Sequence, residues 1–260
     1  MNPQDRKHSS VSPSFGGGQG EATSSFSPSF GGGQGEAGSY ILDHIDPEGD
    51  YLYRLWRATN VQLLHGRMVS GHMQGRLLKM LVRMIRPRNI LEVGTFSGYS
   101  AISMAEGLED DGHLYTYEIN DEQEDFTRPW IEGSSVADRI TFIIGDAITE
   151  APKLGIMFDM TFLDGDKRTY VEAYEMALSV TRPGGFILAD NTLWDGHVTD
   201  PVYDHDQQTL GIRRFNDHVA QDTRVEKVIL PLRDGLTLIR KSPGLTPSTA
   251  PSPALPEGRE

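Results

Sequence analysis

The chain of 260 residues contains no cysteine. That absence excludes disulfides, thiolate metal sites and a cysteine nucleophile, and it fits a cytoplasmic setting. No apolar run is long enough to cross a bilayer. The start of the chain, Met1–Ser10, is polar and lacks the apolar core of a secretory signal. Positive charge is also short: 24 Lys and Arg stand against 37 Asp and Glu, a formal net charge of -13. An acidic balance disfavours nonspecific binding to nucleic acid or anionic membranes, while leaving room for a local basic patch around Arg83, Arg86 and Arg88. There is no G-x-G-x-x-G phosphate cradle after a strand, which argues against a nicotinamide oxidoreductase, and no paired-histidine motif for zinc.

What the chain does have is the run Asn89-Ile90-Leu91-Glu92-Val93-Gly94-Thr95-Phe96-Ser97-Gly98-Tyr99-Ser100. An apolar stretch reaches an acidic residue, passes a turn with glycines at 94 and 98, and continues into a helix-like pattern. This reads as strand, tight loop and helix start, a geometry expected to expose backbone N–H groups to a ligand. Glu92 before the turn would repel a phosphate but attract a cation such as a sulfonium or an amino group.

The same grammar repeats along the middle of the chain. Strands are expected at Ile90–Val93, His113–Tyr117, Ile140–Ile144, Met160–Leu163 and Phe186–Ala189, with helices near Tyr99–Leu108, Glu122–Ile131 and Tyr170–Val180. Two helices precede them: Tyr51–Leu64, and one capped by Ser70, running through Met84 and ended by Pro87. Arg182-Pro183-Gly184-Gly185 reads as a turn, and Arg233-Asp234-Gly235 between two apolar runs reads as an antiparallel hairpin. The expected fold is α/β, a doubly wound and mostly parallel sheet with a C-terminal antiparallel hairpin. Ser-Pro-Ser-Phe-Gly-Gly-Gly-Gln-Gly-Glu-Ala occurs twice, at Ser12–Ala22 and Ser27–Ala37, so residues 1–39 are expected to be a disordered tail and 242–260 a second one, flanking a domain over 40–241. Phe15 and Phe30 could act there as partner stickers.

In such sheets ligands bind at the carboxyl ends of the strands. Those ends are acidic or polar here: Glu92, Glu118, Asp146, then Asp164-Gly165-Asp166-Lys167, and Asp190-Asn191. Asp146 alone reads best as a helix cap. Glu118, ending the second strand, is placed to accept ribose hydroxyls. Asp164, Asp190 and Asn191 form an all-oxygen set suited to a hard divalent cation such as Mg²⁺. Lys167, beside such a cation, is expected to lose its proton readily and to serve as a base; the alternative is a plain ion pair with Asp164 or Asp166. His72 and His197 stay unassigned, as do the acidic and His residues of Val198–Leu210.

These motifs carry a resemblance. From about Tyr40 to Lys241 the chain resembles the cation-dependent O-methyltransferases of the caffeoyl-CoA and catechol type, which use S-adenosylmethionine. Leu91–Ser100 resembles their cofactor loop, Phe162–Lys167 and Asp190-Asn191 their metal motifs, and Arg67–His72 the segment closing over the methionine end of the cofactor. The resemblance implies a class I methyltransferase fold with a seven-stranded sheet. It implies cofactor contacts from Met68, Ser70, Glu92, Gly94, Thr95, Ser100, Glu118, Ala147 and Asp166, and a cation on Asp164, Asp190 and Asn191. It further implies Lys167 as the base with Asp164 in the catalytic centre, and Trp194 in the acceptor pocket. Gly165 and Glu118 stand where plant members carry Ala and Asp, which suggests a bacterial-type branch. The implied activity is methyl transfer to a vicinal-diol, catechol-like small molecule by a homodimer, to which Tyr51–Leu64 could contribute. The alternatives are a tRNA 5-hydroxyuridine methyltransferase and, more remotely, a non-catalytic cofactor-binding module.

Overall fold

A computed structural model describes residues 36–244. The repeated segment with Phe15 and Phe30, and residues beyond 244, lie outside the described residues. The first helix, α1 (Glu36–Asp43), spans the boundary expected at residue 39.

The core is one seven-stranded sheet in the order β3-β2-β1-β4-β5-β7-β6. β1 (Asn89–Val93), β2 (His113–Glu118), β3 (Ile140–Ile144), β4 (Phe158–Leu163) and β5 (Thr181–Asp190) pair in parallel. β6 (Val225–Leu230) and β7 (Leu236–Lys241) form the expected hairpin, and β7 inserts antiparallel between β5 and β6. Arg182–Gly185, expected as a turn before β5, lies within it. Pairing skips from Thr181 to Phe186, so these residues bulge out of register and Gly184 takes φ +79.

Alternation along each strand sends side chains to two layers. Ile90, Phe162 and Leu188 join one cluster with Leu52 and Leu55 of α2 (Asp50–Gln62), Leu78 and Val82 of α3 (Gly71–Ile85), Tyr99 and Ile102 of α4 (Tyr99–Ala105), and Ile131 of α5 (Glu124–Glu132). On the other face Leu163, Ile187 and Ala189 meet Tyr170, Tyr174 and Ala177 of α7 (Tyr170–Val180), and Ile212, Phe215 and Val219 of α8 (Gln207–Gln221). A third cluster joins Leu91, Tyr117 and Phe158 to Ala147 of the short α6 (Ala147–Glu150). Each buried Leu, Ile or Phe contributes roughly 1.5–3 kcal/mol relative to exposure. With helices on both faces, β1 and β4 can be apolar on both sides.

Two expected local features differ. Ser70 does not cap α3: its backbone is already helical and its side chain makes no capping bond. α8 was not expected from the sequence; it begins at Gln207, within the unassigned stretch Val198–Leu210. Asp206 caps it by accepting from the Thr209 N–H and hydroxyl. At its other end α3 stops as expected before Pro87, with Arg86 in the left-handed region.

Candidate active site

The loops after the five parallel strands and the β6–β7 turn meet at the carboxyl edge of the sheet, and backbone strain concentrates there. Among the described residues, the non-glycine residues with positive φ apart from Arg86 are Phe96, Asn191, Trp194, Asp195 and Arg233, all in these loops. Such conformations persist only where the surroundings over-determine them.

The first loop follows β1. Gly94 has φ +97, and a Cβ there would lie 2.8 Å from the Asp164 carbonyl carbon, so only glycine lets β1 and the β4 turn approach this closely. Contrary to expectation, the N–H groups of this turn are mostly committed inside the protein. Those of Gly94 and Thr95 donate to Tyr117 O, and that of Phe96 donates to Glu118 Oε2 at 2.8 Å. The turn thus resembles a clamp on β2 more than an anion cradle, which suits a ligand without phosphates. Glu118 accepts a second N–H, from Asn120, at 2.9 Å, so its carboxylate is fixed beside the loop.

Glu92 is wholly buried. Thr116 donates to its Oε2 at 2.6 Å, and the Thr95 hydroxyl joins this chain through Thr116. Thr95 therefore turns inward. Oε1 of Glu92 has no hydrogen-bond partner. Burial pushes Glu92 up to about 8; the Ser100 and Thr116 hydroxyls oppose the rise, and Asp164 and Glu118 add to it. This buried carboxyl group keeps its proton at neutral pH, and a cationic donor from outside the chain reaching its unpartnered oxygen would favour the ionised form.

The second centre lies where β4 and β5 end. Lys167 is buried and donates from Nζ to Asp164 Oδ1 at 3.0 Å and to the Tyr170 hydroxyl at 2.9 Å. The Tyr170 hydroxyl lies 2.8 Å from both Leu163 O and Asp190 O and carries one proton for the two carbonyls. The loop after β5 is strapped to the β6–β7 turn: Leu193 N and Trp194 N donate to Asp234 O, and Thr192 N to Gly235 O. Gln74 of α3 donates from Nε2 to Asp190 Oδ2 at 2.6 Å.

The electrostatics of this centre follow from crowding. Burial raises Asp164 to about 6; Lys167 opposes this and the nearby Asp190 reinforces it. Burial pulls Lys167 down, but Tyr170, Asp164 and Asp190 outweigh it, so the net direction is up and the group is an ammonium in the protein alone. The expected low-pKa lysine is therefore not a property of the bare site.

The remaining expected residues sort as follows. Asp166 is exposed, caps the turn Lys167–Thr169 and pairs with Arg168. Ala147 is buried at the start of α6, whose cap is Asp146, as read from the sequence. Ser70 is nearly buried, and Met68 is exposed. His72 ties α3 to Asp46 O, and His197 stacks on Tyr203. Sequence reasoning missed Gln74, Tyr170 and Arg233, and also Arg213 of α8. Arg213 holds the loop after β5 by donating to His197 O, Val198 O and Asp200 O and pairing with Asp204.

With this geometry in hand, similarity to known proteins decides the family. The model of the O-methyltransferase family matches residues 43–242. The chain belongs to the O-methyltransferase family. Among curated relatives it is 35% identical to caffeoyl-CoA O-methyltransferase 1 of Eucalyptus globulus over 185 residues, 67% of this chain and 75% of that one. It is 33% identical to tricin synthase 1 of Oryza sativa over 190 residues, 68% of this chain and 75% of that one. Among solved structures it superposes on the Bacillus cereus O-methyltransferase in complex with SAH, with TM-score 0.73 and 30% identity, covering 78% of this chain and 96% of that one. The Streptomyces achromogenes O-methyltransferase TomG in complex with SAM gives TM-score 0.72 and 31% identity, covering 78% and 95%. The fold is that of the class I S-adenosylmethionine methyltransferases, and the chain is an S-adenosylmethionine-dependent O-methyltransferase of the caffeoyl-CoA type.

Proposed function

We propose that this O-methyltransferase methylates one hydroxyl of a small catechol-like acceptor with two vicinal oxygens, aided by a divalent cation. The observation that carries this reading is the convergence of Asp164, Asp190, Asn191 and Lys167 at the ends of β4 and β5, one strand away from Glu92. The donor set fits the cation: all its ligating atoms are oxygens, and the nearby Asp190 carboxylate raises the cost of ionising Asp164. The cofactor pocket fits S-adenosylmethionine, because Glu92 presents an orphaned buried oxygen and Glu118 a fixed carboxylate.

When bound, the cation supplies charge that favours the ionised acceptor hydroxyl, and the cofactor supplies an electrophilic methyl. Glu92, Ser100, Glu118 and Ala147 line the cofactor, with Ser70 and Met68 closing over it. Gly94 and Thr95 shape the turn beneath, and Asp166 lies at its rim. Asp164, Asp190 and Asn191 would hold the cation, and its charge would offset the two carboxylates that keep Lys167 protonated. Lys167 would then lose one proton to solvent, and the neutral amine at Nζ takes the acceptor proton. Tyr170 holds that Nζ in place, and Trp194 gives the acceptor ring a flat wall. Alignment of this kind supplies up to ~7–11 kcal/mol of barrier lowering.

The tRNA reading gains nothing from the basic cluster. Arg86 and Arg88 pair with Glu109 and Asp111 at the opposite edge of the sheet, where β1 begins. A homodimer joined through α2 and the turn after it is supported by exposed Tyr53, Trp56 and Val61 of the helix and Leu64 beyond it. No helix among the described residues is long and apolar enough to cross a membrane. An acidic, cysteine-free chain suits the cytoplasm.

The test is methyl transfer from labelled S-adenosylmethionine to caffeate, with Mg²⁺ and with chelator. Product that appears with Mg²⁺ and is lost with chelator is expected. Product of equal yield in chelator would remove the cation from the reading.

A further inference from the structure

The stripe of α3 that faces the core is Gln74, Leu78 and Val82, one residue per turn and all buried. Two are apolar and belong there; Gln74, 1% exposed, is the exception. A buried amide is tolerated only when its donors and acceptors are met. Gln74 meets them at two points. Its Oε1 accepts from Arg233 Nη1, and its Nε2 donates to Asp190 Oδ2 at 2.6 Å.

The orientation of that amide is fixed by chemistry. Arginine has only donors, so the atom facing Arg233 must be the oxygen, and the atom facing Asp190 must be the nitrogen. Arg233 is itself anchored on Ser70 O, and it holds a left-handed backbone, φ +49, where Gly or Asn would be cheaper. A strained arginine therefore sets a buried amide, and the amide occupies one oxygen of Asp190.

Asp164 is treated in the same way from the other side. Its Oδ1 accepts from Lys167 Nζ at 3.0 Å, and Lys167, also donor-only, is held by Tyr170. Each carboxylate of the proposed cation site thus has one oxygen engaged by a nitrogen donor and one oxygen left for a cation. Asn191 adds one amide oxygen. Such a set offers single oxygens. It suits a small octahedral ion that keeps several waters, and it withholds the two-oxygen carboxylate grip used by larger ions with six to eight ligands.

We propose that Gln74, oriented by Arg233, is a positioning residue that restricts Asp190 to one oxygen and thereby makes the site selective for Mg²⁺ or Mn²⁺ over Ca²⁺. This rests on the cation-dependent reading above. It assigns a role to two residues outside the ligand set and names the discrimination they enforce.

The test is competition for bound Mn²⁺ in the full chain with saturating S-adenosylhomocysteine, reading free Mn²⁺ by electron paramagnetic resonance as Mg²⁺ or Ca²⁺ is added. Gln74→Met keeps the volume and removes the amide. Native protein is expected to prefer Mg²⁺ to Ca²⁺. In Gln74→Met the Mg²⁺ affinity should fall about 10–100-fold, as for other residues that orient metal ligands. Ca²⁺ affinity should fall less, so that the Mg²⁺/Ca²⁺ ratio moves at least about tenfold toward Ca²⁺. A purely structural role for Gln74 would weaken both ions alike and leave the ratio unchanged, which overturns the proposal. Arg233→Gln, which leaves the core of α3 intact and frees the amide to rotate, should shift the ratio in the same direction. A shift in neither variant, or a native preference for Ca²⁺, also overturns it. Native protein that binds no Mn²⁺ at all would instead strike at the cation-dependent reading, and this proposal would fall with it.

Discussion

Replacing Gly211 by alanine tests the placement of Lys167 without touching Lys167. Gly211 lies in the second turn of α8, where the helix crosses the Lys167 turn. A Cβ there would lie 2.8 Å from the carbonyl carbon of Lys167 and 3.0 Å from Cα of Arg168. Carbon–carbon contact is comfortable at about 3.5–4.0 Å, so the two backbones must part by roughly 0.7–1 Å. Two effects oppose each other. Alanine favours the helix by about 1 kcal/mol over glycine. Overpacking against rigid backbone costs ~1–3 kcal/mol. Stability should therefore change by zero to about 2 kcal/mol, downward. The larger effect is expected in the reaction. Lys167 Nζ is held within hydrogen-bond distance of both Asp164 and Tyr170, and a displacement near 1 Å at such a centre costs on the order of 100-fold in rate. The assay is kcat at saturating cofactor and cation, alongside the urea midpoint and the Kd for S-adenosylhomocysteine. Gly244→Ala, with nothing within 4 Å of the new Cβ, is the control. A kcat within about threefold of native, in a variant with the expected small loss of stability, would show that the Lys167 turn does not set the rate.

Two further predictions concern titration and hydrogen bonding. Glu92 holds its proton up to about 8, above the ordinary carboxylate range, so its contribution to stability is full at low pH and is lost as pH rises through 8. In ligand-free protein the urea midpoint should fall between pH 5 and 8.5, by up to ~1.4 kcal/mol per pH unit from this group. Glu92→Gln should flatten that slope while weakening S-adenosylhomocysteine binding, and parallel slopes for the two proteins would refute the assignment. Tyr170→Phe leaves the Lys167 ammonium one acceptor short and two carbonyls without their donor, and should cost about 1–3 kcal/mol in stability. Its kcat should drop at least tenfold with little change in cofactor KM; an unchanged kcat would mean that Tyr170 does not hold Nζ in place.

Much of this molecule could be read before folding it. β1, β2 and β4 carry Glu92, Glu118 and Asp164 at or beside their carboxyl ends, and a strand that runs into a carboxylate announces its ligand-facing end. Trp194 follows the cation pair at a spacing that the resemblance supplies. The parts that escaped notice share one physical trait: their partners are distant in sequence. Gln74 and Asp190 are separated by 116 positions, and Arg233 reaches Ser70 across 163. α8 escaped because its buried face is built from Thr209, Gly211, Ile212, Phe215 and Val219. Only three of those are bulky and apolar, and the central glycine, which reads as a breaker, is there to admit the Lys167 turn. The N–H groups after Gly94 were assigned to a ligand because the motif shows a turn and not what fills it; Tyr117 and Glu118, a strand away, take them.

The insertion of β7 between β5 and β6 also governs when the enzyme can come into being. Asp190 ends β5 opposite Leu236, and the loop that follows hangs on the carbonyls of Asp234 and Gly235. A chain emerging from the ribosome therefore displays Asp190 and the loop after it before the hairpin that straps them is made. Until the last strand of the domain arrives, β5 is an open edge with apolar Ile187 and Leu188 beside it, a place where two unfinished chains can pair. The hairpin closes that edge and completes the site in one event, so activity and protection from aggregation are acquired together.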